Sequence, residues 1–186
     1  MTGKLGAVTG ATSGIGYETC RLLAQAGWRL LCVARDAKRG EAAVARFRSD
    51  GSPRAEFFAC DLTSISETAL LGMRLAARGE PLDLLLNNAG ALFQRREVTA
   101  EGFERTFALN HLGYFVLTQQ LLPLLRAAPA GRIVSVASRA HYGAALDFDD
   151  LQMARNFSGW RQYQCSKLMN VLFTRELARR LAGSTV

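Results

Sequence analysis

Cysteine is scarce and unpatterned in this chain. Cys20, Cys32, Cys60 and Cys165 are scattered and show no CxxC spacing. That argues against a zinc site and against a disulfide framework; the reading is of buried or partly buried thiols in a reducing compartment, the cytoplasm, with no metal centre. Long apolar runs are also lacking: none approaches the roughly 18–20 residues of a membrane span, so no membrane span is expected. Met1-Thr2-Gly3-Lys4 leads straight into an apolar stretch, which is not the pattern of a signal peptide. There is no internal repeat and no low-complexity linker. Of the two histidines, His111 has no second histidine or carboxylate spaced to orient it as a base, so it reads as a surface or packing residue. The net charge is +7, but no basic stretch interleaved with aromatics appears. Much of the excess, such as Arg175, Arg179 and Arg180, belongs to an expected helix face, so nucleic acid is not an expected partner.

What is present is a soluble-type composition, 49% hydrophobic and 21% charged over 186 residues, enough for one domain with a sizeable core. Short apolar runs alternate with longer amphipathic ones. Strands are expected at 5–8, 29–34, 55–60, 82–86 and 132–136. Helices are expected at 17–26, 37–48, 64–78, 99–125 and 158–181. The first helix is expected to bury Ile15, Thr19, Leu22, Leu23 and Ala26. The third is expected to begin with a capping box of Ser64 and Glu67, and the fourth to be capped by Thr99 with Glu101 in its first turn. This βα alternation implies an α/β fold: a Rossmann-type doubly wound parallel sheet in the order 3-2-1-4-5, with a ligand at the switch point beside strands one and four.

Between the first strand and helix stands Thr9-Gly10-Ala11-Thr12-Ser13-Gly14-Ile15-Gly16. Glycines at a strand-to-helix turn let a pyrophosphate approach free N–H groups at a helix N-terminus. The spacing Gly-x-x-x-Gly-x-Gly resembles the cofactor loop of the short-chain dehydrogenase/reductase family. Strand four ends in Asn87-Asn88-Ala89-Gly90, similar to that family's NNAG motif. Asn110 lies mid-helix in an apolar setting, where an amide needs a partner. Strand five ends in Ser135-Val136-Ala137-Ser138. Tyr163 and Lys167 follow, four apart and so on one face of a helix. A lysine ammonium beside a phenol favours the phenolate, and a tyrosine so tuned exchanges a proton with a carbonyl or alcohol oxygen near neutral pH. The motifs fall on their expected elements, in order, along the whole chain.

The resemblance implies residue roles. Asn110, Ser138, Tyr163 and Lys167 form the catalytic set, with Ser138 favoured over Ser135 because it lies past the strand. The cofactor would meet Gly10, Thr12, Ser13, Gly14, Ile15, Gly16, Arg35, Asp61, Leu62, Asn88, Ala89 and Gly90, besides Tyr163 and Lys167. After strand two an acidic residue would favour NAD. Ala34 and Arg35 stand there instead, and an arginine pairs with a 2′-phosphate, so NADP is favoured; Asp36, about 20 residues past the glycines, keeps an NAD reading alive. Lys38 and Arg39 are candidates to reinforce Arg35.

Leu109-Asn110-His111-Leu112-Gly113-Tyr114-Phe115, Ser138-Arg139-Ala140-His141, Phe148-Asp149-Asp150-Leu151 and Ser166-Lys167-Leu168-Met169-Asn170-Val171-Leu172-Phe173-Thr174-Arg175-Glu176-Leu177 resemble the retinol dehydrogenase branch. That likeness implies NADP and a lipophilic alcohol or carbonyl substrate. Family members continue through a sixth strand and beyond. The expectation is therefore a single dinucleotide-binding domain over 1–186, incomplete at its C-terminus, with strand five as an open edge. A non-catalytic dinucleotide-binding or regulatory module, or an inactive truncated form, is the alternative, and a homo-oligomer is left open.

Overall fold

A computed structural model describes residues 3–186. Five strands form a parallel sheet in the order β3-β2-β1-β4-β5: β1 Leu5–Thr9, β2 Arg29–Ala34, β3 Glu56–Ala59, β4 Leu84–Asn87 and β5 Arg132–Ser135. Alternation along each strand sends side chains to two separate cores. On one face Leu5, Ala7, Leu31, Val33 and Leu85 pack with Leu71 and Leu75 of α3 (Ile65–Ala76) and with Leu117, Leu121 and Leu125 of α5 (Gly113–Ala127). On the other, Val8, Leu30, Cys32 and Leu86 meet Cys20 and Ala24 of α1 (Gly14–Gln25) and Val44 and Phe47 of α2 (Ala37–Ser49). The closing helix, α6 (Gly159–Arg180), packs beside α4 (Arg105–Phe107), where Phe107, Cys165 and Met169 make a third small core.

Three local expectations are corrected. The buried stripe of α1 is Gly16, Cys20 and Ala24, whereas Ile15 is 66% and Leu22 57% exposed. Small residues at i, i+4 and i+8 let the helix settle close against the first turn, so Ile15 and Leu22 point outward, while Tyr17 and Leu23 pack partly buried at the edge of the core. Thr99 does not cap a helix. Val98 and Glu104 form an antiparallel bridge, and Thr99 N–H donates to the Phe103 carbonyl at 2.8 Å. The chain therefore turns back on itself, with Gly102 at φ +86, before any helix begins. The cap is Glu104, whose carboxylate accepts from the N–H groups of Thr106 and Phe107, each at 2.8 Å. Glu101 reaches across instead to the start of α3, accepting from Ile65 N and Ser66 N at 2.7 Å each. The capping box at Ser64 is half-formed: Ser64 Oγ accepts from Glu67 N at 3.2 Å, but the Glu67 carboxylate accepts from Asp61 N, also at 3.2 Å, and not from Ser64 N.

The expected helix over 99–125 thus starts late, and it is also broken. Ala108–Leu112 is a π-helical segment between α4 and α5, and Asn110 sits at its centre.

Candidate active site

The C-terminal ends of β1, β4 and β5 converge on a cleft with two connected halves that share Gly10, Ser13, Ala89 and Gly90. The shared floor is braced by protein hydrogen bonds. Thr9 Oγ accepts from Asn88 N at 2.8 Å and Ala89 N at 3.0 Å, and Asn88 Nδ2 donates to the Thr9 carbonyl at 2.9 Å. Gly16 is packed against this brace: a Cβ there would lie 2.3 Å from the Gly10 carbonyl oxygen. Gly16 is therefore buried behind the turn and does not line the cleft. Gly14 is different. Its φ is +52, a Cβ would meet nothing within 4 Å, and the residue lines the cleft. Ser13 is the N-cap of α1 but makes no side-chain cap bond. The first N–H groups of α1 are thus left facing an open, glycine-lined hollow, which suits an anion such as a pyrophosphate.

One half of the cleft, about 390 Å³, is lined by Thr12, Arg35, Asp61 and Leu62. Arg39 joins them, its guanidinium donating to the Thr12 carbonyl at 3.1 Å. Asp36 borders this half too, but its carboxylate caps α2 by accepting from Arg39 N at 2.9 Å. Of the two charges considered as reinforcements of Arg35, Arg39 lines the cleft and Lys38 does not. Asp61 Oδ1 holds the N–H and hydroxyl of Thr63, at 3.0 and 2.9 Å. Arg105 closes the rim, lying 4.3 Å over the Phe93 ring and paired with Glu97. Sequence reasoning missed Phe93 and Arg105, because the segment that carries them folds back through the Val98–Glu104 bridge.

The other half, about 670 Å³, brings Gly14, Ile15, Asn88, Ser138, Tyr163 and Lys167 together. Lys167 is nearly fully buried. Its Nζ donates to the Val136 carbonyl at 3.0 Å and lies 5.6 Å from the centre of the Tyr163 ring. Burial holds its pKa down to about 8. Ser138 caps a short 3₁₀ turn at Arg139–His141, its Oγ accepting from Ala140 N at 3.2 Å. Ser135 Oγ is buried without a partner and is not part of the cleft wall. Trp160, also missed, completes this half; its place three residues before Tyr163 on one helix face was the available signal.

Asn110 does not line the cleft. It is fully buried behind it, with Oδ1 accepting from Ala91 N at 2.9 Å and Nδ2 donating to the Ala91 carbonyl at 2.9 Å and to Ser166 Oγ at 3.0 Å. A Cβ on Gly90 would lie 3.2 Å from Asn110 Oδ1 and 3.4 Å from Lys167 Nζ, so the two polar groups meet at that glycine. The Asn110 carbonyl, released by the π segment, accepts from Asn170 Nδ2 at 2.8 Å. His111 is a packing residue: its Nδ1 pairs with Asn170 Oδ1, its ring stacks on Phe107, and burial lowers its pKa. All four cysteines are free and buried. Among the described residues no group of three or more His, Cys, Asp or Glu is placed to hold a metal ion, and no helix is long and apolar enough to cross a membrane.

Comparison with known proteins bears on the family and the fold. The family model for short chain dehydrogenase matches residues 4–186. Human "Retinol dehydrogenase 12" is 40% identical over 187 residues, covering 100% of this chain and 59% of that protein, so the chain spans well under two thirds of that relative's length. A crystal structure of an uncharacterized protein from Mycobacterium paratuberculosis superposes with a TM-score of 0.83 at 38% identity, covering 96% of this chain and 62% of the other. A short-chain dehydrogenase from Sphingobium yanoikuyae in complex with NADPH superposes with a TM-score of 0.76 at 30% identity, covering 96% and 66%.

Proposed function

Since the chain belongs to the short-chain dehydrogenase family, we propose that it is an NADP(H)-dependent oxidoreductase that interconverts an alcohol and a carbonyl compound. The observation that carries this reading is the shared cavity: Ser138, Tyr163 and Lys167 stand in the same hollow as the open turn at Gly14. A nicotinamide dinucleotide bound there would supply the hydride. The residues of this chain manage the rest. The Tyr163 hydroxyl gives a proton to the carbonyl oxygen in reduction and takes it back in oxidation. The Lys167 ammonium, held by Val136 and buried beside the ring, favours the phenolate that results. Ser138 orients the reacting oxygen by hydrogen bonding, and Asn110 fixes the Ala91 backbone behind Gly90 and so the depth of Lys167.

The preference for NADP rests on Arg35 and Arg39 at the rim and on Asp36 being engaged as a helix cap. An NADPH complex of a 30% identical relative supports the same choice. A lipophilic substrate is inferred from the likeness to a protein named for retinol and from the apolar wall of Ile15, Leu92 and Trp160. The reading includes a single cofactor domain over 1–186 and a reducing, cytoplasmic setting, for which four free thiols are the support.

The test is carbonyl reduction followed by loss of NADPH absorbance, with Tyr163→Phe beside the parent. The variant should lose on the order of 10²–10⁴-fold in turnover while binding NADPH as before, and NADPH should bind more tightly than NADH. Turnover unchanged in Tyr163→Phe would remove Tyr163 as the proton donor.

A further inference from the structure

Trp160 is half exposed, at 52%, although it is the largest apolar side chain at the site. Its place is fixed from both sides. Ser158 caps α6 two residues earlier, accepting from Arg161 N at 3.4 Å. Gly159 is pressed so tightly on the loop after β4 that a Cβ would lie 2.2 Å from the Phe93 carbonyl oxygen. Only glycine permits this approach, and it seats the first turn of α6 directly on the cleft wall. Trp160, Tyr163 and Lys167 are spaced three and four residues apart, so all three project from one helix face into the same 670 Å³ hollow.

The indole and the Tyr163 phenol are close to parallel, with ring centres 5.9 Å apart and planes at 22°. The indole thus adds a second flat aromatic surface beside that of Tyr163 in the same hollow. Besides the polar Ser13, Asn88, Ser138 and Lys167, this half of the cleft is lined by Ile15, Leu92, Val136 and Ala137, none of which can hydrogen-bond a substrate through its side chain. Exposing an indole in such a place costs hydration free energy unless something covers it.

We propose that Trp160 is the specificity-determining residue of the substrate half of the site: a flat shelf that selects planar aryl carbonyl compounds over puckered, saturated ones of the same size. A planar ring system stacks on the indole with its carbonyl oxygen directed to Tyr163 and Ser138. A saturated ring system of equal carbon count touches the shelf only through axial hydrogens. The proposal rests on the functional reading above, since it is that reading which makes this hollow the substrate half.

The test compares 2-naphthaldehyde with decahydronaphthalene-2-carbaldehyde by calorimetry on the NADP⁺-loaded chain, where no hydride is available and binding alone is read. The parent should bind the flat aldehyde about fivefold more tightly than the saturated one, the size of effect expected of one aromatic stack. Trp160→Leu should bring the ratio to about unity, and Trp160→Phe should restore most of it. Because each variant is judged by the ratio of two ligands, a general loss of affinity does not imitate the effect. An equal ratio in the parent, or a preference that survives in Trp160→Leu, overturns the proposal. Failure to take up NADP⁺ counts against the cofactor reading instead, and the two aldehydes are then compared on the free chain, which presents the same shelf.

Discussion

At the scale of single residues the site mixes groups that serve the fold with groups that serve the ligand, and the glycines separate the two roles. Gly16→Ala would drive a Cβ to 2.3 Å from the Gly10 carbonyl, a backbone atom that cannot give way without moving the first turn. A loss of about 1–3 kcal/mol is expected, read as a lower urea midpoint. Gly14→Ala meets no protein atom and costs only its left-handed backbone, about 1–2 kcal/mol, but it adds a methyl at a residue that lines the cleft. NADPH affinity should therefore fall more than the stability does. Lys167 makes a second contrast. Its folded pKa, about 8, lies below the value of roughly 10.4 expected in an unfolded chain. Between these values the unfolded state holds more protons, so this group's contribution to stability rises with pH. In the proposed function its service runs the other way, because the ammonium would be what favours the Tyr163 phenolate. Carbonyl reduction should decline as pH rises through about 8, while the urea midpoint shows no matching loss. Lys167→Met should flatten the Lys167 part of both profiles. A parallel fall of rate and midpoint would mean that alkaline unfolding, not Lys167, sets the limit.

At the scale of elements, the sheet order was readable because alternating apolar runs and amphipathic runs are local properties; the helix count was not, since the single helix expected over 99–125 is divided into α4, the π segment and α5. That Tyr163 and Lys167 share one helix face was readable for the same reason, since a four-residue spacing needs only a helix; the roles expected of them came from the family resemblance. What was not readable depended on tertiary approach. The buried face of α1 is decided by how closely Gly16 and Cys20 settle on the sheet side, so the sequence pattern of Ile15, Thr19 and Leu22 pointed to the wrong face. Thr99 had the composition of a cap, but the Val98–Glu104 bridge moved the helix start six residues on, to Arg105. Glu101 shows the consequence. Its carboxylate crosses 36 positions in sequence to bond Ile65 N, which fastens the segment over the cofactor cleft to the turn that carries Asp61 and Leu62. Hydrogen bonds from Ser66 and Ile65 hold the Glu101 carboxyl below the usual carboxylate range. The tie is therefore complete above the unfolded carboxylate value and is lost as pH falls through the lower folded one. Glu101→Gln removes the charge but not the reach. It should raise amide exchange at Ile65 and Ser66 and weaken NADPH at neutral pH. Exchange rates unchanged at both amides would show that Ser64 caps α3 unaided.

At the scale of the molecule the two edges of the sheet are unlike. Beside β3, Glu56 is engaged by Arg78 at 2.7 and 3.0 Å, and Arg78 also reaches Glu80. Paired charges of this kind discourage another strand from docking. Along the other edge β5 pairs with β4 through Arg132, Ile133, Val134 and Ser135 and with no other strand among the described residues. Ile133 turns into the α3–α5 core. Val134 turns to the opposite face and is 45% exposed, on the side of the sheet that also carries α1 with its outward Ile15 and Leu22. An edge with free N–H and C=O groups beside exposed apolar side chains is a template for association. The isolated chain should therefore sediment with a concentration-dependent coefficient. Val134→Lys puts a charge at the centre of that edge without touching the buried side of β5, and it should shift the distribution toward monomer while leaving the urea midpoint near that of the parent. If Val134→Lys left the sedimentation profile unchanged, association would have to run through the outward face of α1, and Leu22→Lys would then be the variant that separates the copies.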